Sequence, residues 1–347
     1  MTSKTVAITG TTGFVGGHLA SMYLERGYDL RLLARPGSDL ERLPDAVRNA
    51  LRAGDRVEVH RGDLTDADSL AGYCEEVDAL VHAACAVKGT FDESRASAAV
   101  FEAVNVDGTT NLAREAARAE VRMVHLSSTA AMGPVDAGHV DETTPCQPEA
   151  PYQRSKRQAE LALQELAESD GLDVVILRPC LILGPGKVGG EPLELFNLVK
   201  RGLFPKIGGD LPQTKPLIDV RDVARATENA IEHGETAEIY LIHSDGAHRL
   251  DEILEVVRRL VGARRAGIPI PELPVRAASY GFEALAAVFP GFNPPITPGR
   301  LDLFLADRRI SIAKARRDLS FEPRYTDLYE MFGRTYVGYV RDGQLNP

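Results

Sequence analysis

Apolar and polar positions along the 347-residue chain follow two different periods. Short β-branched runs fall at 5–9, 30–34, 57–60, 79–84, 121–127 and 174–177 and predict strands. Between them, 14–26, 67–73, 98–118 and 152–169 carry apolar residues three and four apart, the spacing of helices packed on one face. Regular alternation of the two predicts an α/β fold, a Rossmann-type doubly wound parallel sheet.

Beyond Pro179 the pattern breaks up around Gly184-Pro185-Gly186, Gly189-Gly190 and Gly208-Gly209, which interrupt any long element. A helix at 221–232 and a strand at 238–243 bring the chain back to the sheet; it leaves again through 269–298 and ends in helices near 312–319 and 327–341. The expected division is a dinucleotide-binding domain over 1–180, with 216–245 returning to it. A smaller C-terminal substrate lobe takes 181–215 and 246–347.

Composition narrows the partners. Hydrophobic residues at 44% and charged ones at 26% allow an ordinary core. The formal net charge of -10 repels phosphate backbones and anionic lipid surfaces, so neither nucleic acid nor membrane is expected as a partner. Cys74, Cys85, Cys146 and Cys180 are too scattered for a zinc site or a disulfide scaffold. With no export signal and no apolar run of the ~18 residues a membrane helix needs, a reduced, cytoplasmic setting is expected, and no metal.

The first strand leads straight into Gly10-Thr-Thr12-Gly13-Phe14-Val15-Gly16 and then a helix. Glycines there permit a tight turn and let backbone N–H groups and the helix dipole approach a pyrophosphate. At the end of the second strand, where an acidic residue would accept from a ribose 2′-hydroxyl, stands Arg35. A guanidinium suits a 2′-phosphate, so NADP is expected over NAD, with NAD left possible. Asp63 and Leu64 follow the third strand and suit the adenine amino group and ring, though Asp63 also reads as a helix N-terminal signal. The small Ala83 and Ala84 let a cofactor come close to the fourth strand's end; His82 reads as a packed side chain.

The chemistry lies further on. Tyr152 and Lys156 are four apart where a helix should begin after Pro148 and Pro151, which stacks phenol and ammonium on one face. A cation beside the phenol favours its phenolate, as an acid/base near neutral pH requires. Ser128 ends the fifth strand, at the carboxyl edge where open α/β sheets collect ligands, and can hold a substrate oxygen. Asn105, inside the long helix, would support a water or the lysine, or serve as a structural amide.

The glycine loop, Asp63, His82-Ala-Ala, Asn105-Val-Asp-Gly-Thr, Ser127-Ser128, Tyr152-x-x-x-Lys156 and Arg178-Pro179, in this order, resemble the extended short-chain dehydrogenase/reductase family over nearly the whole chain. The pattern is most similar to dihydroflavonol reductases and 3β-hydroxysteroid dehydrogenases. The resemblance implies a catalytic set of Ser128, Tyr152 and Lys156 and a lobe that closes over a small-molecule substrate. It also implies a cofactor seat that includes Pro179, Tyr152 and Lys156, and a possible homodimer through the helices starting near Ala98 and Tyr152.

Within that family the residues favour an oxidoreductase acting on CH–OH or C=O of a small or apolar substrate over the alternative, a nucleotide-sugar epimerase or dehydratase with tightly bound NAD. The run Cys180-Leu181-Ile182-Leu183 is apolar where sugar enzymes commonly carry an Asn, and Lys215 replaces an Arg before Asp219-Val-Arg221-Asp222. Arg221 and Arg300 remain candidates for reaching a phosphate. A non-catalytic NADP-binding protein is disfavoured by the presence of both Tyr152 and Lys156.

Overall fold

A computed structural model describes residues 4–87, 95–135, 138–245, 248–289, 296–298, 301, 305, 307 and 309–347. Seven parallel strands form the central sheet: β1 (Thr5–Thr9), β2 (Asp29–Ala34), β3 (Val57–Arg61), β4 (Ala79–His82), β5 (Met123–Leu126), β7 (Val174–Pro179) and β11 (Ile239–Ile242). Their order, β11-β7-β5-β4-β1-β2-β3, reverses direction between β1 and β4. This is the doubly wound Rossmann topology predicted from the alternating periods, with its ligand crevice at the reversal.

Alternation along each strand divides the core. Val6, Ile8, Val81, Val124, Val175 and Leu177 face one layer, which includes α1 (Phe14–Glu25), α2 (Asp45–Ala53), α7 (Val220–His233) and α10 (Ala313–Leu319). Ala7, Leu80, Met123, Val174 and Ile176 face the other, against α4 (Gly108–Arg118) and α5 (Pro151–Ser169). Side chains on both faces are buried, as the period-two geometry of a covered parallel sheet demands.

A separate apolar cluster of Leu183, Phe196, Phe204, Leu217, Leu254, Val257, Phe332 and Tyr339 builds the lobe. It holds two short parallel pairs, β8 (Leu181–Leu183) with β10 (Leu217–Asp219) and β9 (Phe204–Ile207) with β12 (Gly267–Ile270). Around them lie α6 (Gly190–Lys200), α8 (Leu250–Leu260) and α11 (Leu328–Arg341), while α9 (Glu272–Val288) follows β12 in the chain. A third pair, β6 (His139–Val140) with β13 (Arg309–Ile310), packs through Val140 and Ile310 in one cluster with Leu241 of β11.

Several elements depart from expectation. The helix expected over 67–73 is one tight 3₁₀ turn, Ala67–Leu70. The segment 269–298, expected as an irregular excursion, contains the 17-residue α9. The long helix expected over 98–118 runs as α3 (Arg95–Phe101), a π-helical stretch at Glu102–Asp107, and α4. No helix among the described residues is long and apolar enough to cross a membrane.

Candidate active site at the carboxyl edge of the sheet

The loop after β1 fits a dinucleotide. Gly10 adopts φ +74, and a Cβ there would lie 2.8 Å from the Ala84 backbone; a Cβ on Gly16 would run into the Gly10 carbonyl. The loop is therefore pressed flat against the end of β4 and the start of α1, as close approach of a pyrophosphate requires. Gly13 caps α1 without any side-chain bond, and no acidic residue occupies the first turn, so its N–H groups and dipole face outward unneutralised. Thr12 lies partly exposed in the same loop.

Buried hydroxyls fix the opposite wall. Thr9 Oγ1 accepts from both Ala83 N (3.2 Å) and Ala84 N (3.1 Å), so its own proton goes to His82 Nδ1, 2.7 Å away. His82 must then carry its proton on Nε2 and donate it to Thr109 Oγ1 at 3.0 Å. Burial, and then the Lys156 charge, lower its pKa to about 3, so this neutral tautomer persists. The packed reading of His82 thus gains a purpose: it latches the Ala83–Ala84 wall to β1 and α4.

At the adenosine end, Arg35 is exposed beyond β2. Arg61, opposite Ala34 in the sheet register, donates to the Arg35 carbonyl at 3.2 Å. Neither guanidinium has an ion-pair partner among the described residues. Arg61 escaped sequence reasoning because only strand register brings it beside Arg35. Asp63 Oδ1 accepts from Thr65 N and Oγ1. Leu64 is largely buried against α4, where a Cβ on Gly108 would touch it, so little of it is left for an adenine ring.

The candidate acid/base residues Tyr152 and Lys156 lie where α5 starts. Pro151 opens the helix, and Gln153 Oε1 accepts from the Ala150 N–H at 3.0 Å. Tyr152, Lys156 and Glu160 then follow one face at four-residue intervals. Burial raises the pKa of the Tyr152 phenol, the Cys85 thiol adds to the rise and the Ser128 hydroxyl opposes it, so the phenolate expected from a lysine neighbour is not the favoured form in the free protein. Phe101 sets its ring edge-on to Tyr152 at 5.8 Å. Lys156, only 2% exposed, donates from Nζ to the Leu126 carbonyl at 3.0 Å.

Of the three adjacent hydroxyls, Ser128 alone is turned to the phenol. Ser127 Oγ donates to Glu160 Oε1 at 2.6 Å, and Thr129 reaches back to the Pro179 carbonyl at 3.5 Å. Pro179 itself is buried at the end of β7. Asn105 contacts neither Lys156 nor Tyr152 directly. Its amide oxygen accepts from Ala86 N (2.7 Å), while Nδ2 donates to Ala86 O (3.0 Å) and Ser155 Oγ (3.1 Å). It ties the loop after β4 to the helix between the two acid/base residues.

A buried ion pair anchors the same helix. Arg178 Nε and Nη2 hold Glu160 Oε1 and Oε2 at 2.8 and 2.7 Å, both side chains essentially inaccessible. Glu160 is one turn beyond Lys156, and a carboxylate on a helix face pointing into the sheet was the available signal for it. Arg221, a candidate phosphate clamp, is committed to two carboxylates through Nε and Nη2: it bridges Asp219 at 2.8 Å and Glu330 at 2.7 Å and stacks 3.5 Å over the Tyr325 ring. Arg300 lies outside the described residues.

A parallel sheet with a glycine turn at its reversal and a Ser/Tyr/Lys cluster at the next strand's end defines a dinucleotide-dependent enzyme class. Residues 6–242 match the NAD dependent epimerase/dehydratase family, and the chain belongs to it, among the extended short-chain dehydrogenases/reductases. It is 30% identical to sterol demethylase protein B of Methylococcus capsulatus over 93% of this chain and 94% of that one. It is also 30% identical to a 3 beta-hydroxysteroid dehydrogenase/Delta 5-->4-isomerase of Mycobacterium tuberculosis, over 92% and 86% of the two chains. The crystal structure of DesIV, a dTDP-glucose 4,6-dehydratase of Streptomyces venezuelae with NAD bound, superposes with a TM-score of 0.74 at 25% identity over 99% of each chain. The family thus contains both oxidoreductases and sugar-nucleotide enzymes.

Proposed function

We propose that the protein is an NADP-dependent oxidoreductase that reduces a ketone or aldehyde, or oxidises the corresponding secondary alcohol, of a small or apolar substrate. The observation that carries this reading is the half-buried Tyr152 phenol facing Ser128, with Lys156 buried one helical turn away. Nicotinamide, when bound, supplies or accepts the hydride. Ser128 donates to the substrate oxygen and steadies negative charge developing there. Tyr152 delivers the proton to that oxygen, and a phenol whose pKa is raised holds its proton at neutral pH. Lys156 has ammonium hydrogens left beyond its bond to Leu126 O for the nicotinamide ribose.

Three features weigh against a nucleotide-sugar substrate. Arg221 is held by two carboxylates, Asp219 and Glu330, with which a diphosphate would have to compete. Arg35 and Arg61, with no ion-pair partner among the described residues, form a cationic corner suited to a 2′-phosphate. The two 30%-identical relatives carry sterol-related names, consistent with an apolar pocket.

The test is nucleotide content and preference. Protein is denatured, released cofactor identified, and NADPH and NADH are titrated separately. The reading expects little retained cofactor and tighter binding of NADPH, with Arg35→Ala costing NADPH alone about 1.5–3 kcal/mol. Stoichiometric bound NAD with no preference for the 2′-phosphate would make the epimerase reading the better one.

A further inference from the structure

Lys187 follows the Gly184-Pro185-Gly186 turn that leaves β8, in a segment stapled to the first turn of α1. His18 hydrogen-bonds the Pro185 carbonyl at 2.9 Å. Gly184 has φ +150, and a Cβ there would press on Val220 at 2.6 Å and on the far edge of the Phe14 ring at 3.3 Å. Lys187 Nζ consequently sits 5.5 Å from the centre of the Phe14 ring, and Phe14 is the first residue of α1.

The ammonium is poorly compensated. Its one hydrogen bond among the described residues goes to the Ile182 carbonyl at 3.0 Å. No carboxylate ion-pairs with it there; Glu191, exposed, acts only at longer range. Burial pushes its pKa down, as expected for a cation stripped of water without a counter-charge. The backbone around it is nevertheless held rigidly. Gln344 Nε2 donates to the Lys187 carbonyl at 3.1 Å, Gln344 Oε1 accepts from Gly189 N at 2.8 Å, and the Tyr339 hydroxyl donates to the Gly189 carbonyl at 2.8 Å.

A half-buried cation, fixed in place beside an uncapped helix N-terminus that opens a glycine turn, wants an anion shared between them. We infer that Lys187 reaches over the Gly10–Gly16 turn from the lobe side and grips the pyrophosphate of the bound dinucleotide. The inference rests on the dinucleotide site of the proposed function and not on its substrate or on the choice of NADP. It assigns to the lobe a share in cofactor binding: backbone N–H groups of α1 hold the pyrophosphate from beneath and Lys187 from above. Because its desolvation is already present in the folded protein, the ammonium meets the phosphate preorganised.

The test is calorimetric titration of the full-length protein and its Lys187→Met and Lys187→Arg variants with NADPH, NADH and ADP-ribose, which has the pyrophosphate but neither nicotinamide nor 2′-phosphate. Lys187→Met should weaken all three by one common factor of about tenfold or more and flatten the salt dependence of binding, while Lys187→Arg stays near wild type. Should the methionine variant fold poorly, as thermal unfolding would reveal, Lys187→Gln is expected to show the same common factor. Unchanged affinity for all three ligands, or weakening of NADPH alone, overturns the inference. Failure of the reductase reading registers separately, as retained NAD without a preference for the 2′-phosphate.

Discussion

In the proposed reaction the protonation state of Tyr152 decides which direction of chemistry is favoured in the free protein. Burial raises its pKa and only the Ser128 bond opposes the rise, so the phenol is the neutral acid that carbonyl reduction needs. Reduction should hold steady through neutral pH and fall only where alkali begins to ionise Tyr152. Oxidation, which needs the phenolate, should rise with pH over the same range; initial rates in both directions against pH would check the opposite slopes. Tyr152→Phe should lower kcat by about 10²–10⁴-fold and Ser128→Ala by about 10²–10³-fold, each with NADPH affinity little changed in direct titration. Equal losses in affinity and kcat would mean that the phenol serves cofactor binding instead. These candidates could be picked out because their pattern lies in short-range order: a Tyr and a Lys four apart, a Ser at a strand's end. Cys85 beside the phenol and Arg61 beside Arg35 were not, since contacts across tens of residues leave no local trace.

Two devices hold α5, the helix of the proposed acid/base pair, in place. Along α5 the face bearing Tyr152 and Lys156 continues to Glu160, whose carboxylate is clamped by Arg178 of β7 and by Ser127 beyond β5. Removing one partner leaves the other charge buried and alone, so Glu160→Ala should destabilise the protein by about 3–5 kcal/mol. Chemical denaturation would measure this, and the double variant Glu160→Met/Arg178→Met should recover much of the loss. The second device is the π-helical turn at Glu102–Asp107, which places the Asn105 amide against Ala86 and Ser155. Asn105→Ala strands the buried Ala86 N–H, at a cost of about 1–3 kcal/mol, and should lower kcat as the loop after β4 loosens. A mutant with full stability but reduced kcat would mean that the amide acts in the chemistry and not through this latch. The helix containing the π turn was visible from its apolar spacing, but one extra residue in a turn barely disturbs a 3.6-residue period. In the lobe, strands of three or four residues among glycines and prolines are too short to show a period. α9 was hidden for another reason: Leu273, Tyr280, Leu285 and Val288 on it are exposed, so its apolar residues do not mark a single buried stripe.

Across the whole molecule the sheet carries a polar row through its core. In register, Thr9 of β1 lies beside His82 of β4, and His82 beside His125 of β5. The two imidazoles are 5.2 Å apart and buried, and Lys156 adds its charge to their surroundings. Neither His125 nitrogen has a hydrogen-bond partner among the described residues. Burial first, then the Lys156 ammonium, hold the pKa of His82 at about 3 and that of His125 well below the usual 6.5. Both histidines are therefore neutral when folded, whereas in the unfolded chain they take up protons below pH 6.5, so unfolding binds protons and stability rises with pH. Their contribution is complete above about pH 6.5 and erodes as the pH falls toward about 3, by about 1.4 kcal/mol per pH unit for each histidine once the unfolded chain is protonated. Urea unfolding at pH 7 and pH 5 should show that loss, and His125→Phe, which fills the space without a titrating group, should reduce the slope by about one proton. An unchanged slope in that variant would mean that His125 is already charged in the fold, with a counter-ion close enough to hold its proton. The carboxyl edge would then carry a second buried cation beside Lys156, and the neutral wall that His82 and Thr9 form behind the cofactor seat would have to be redrawn.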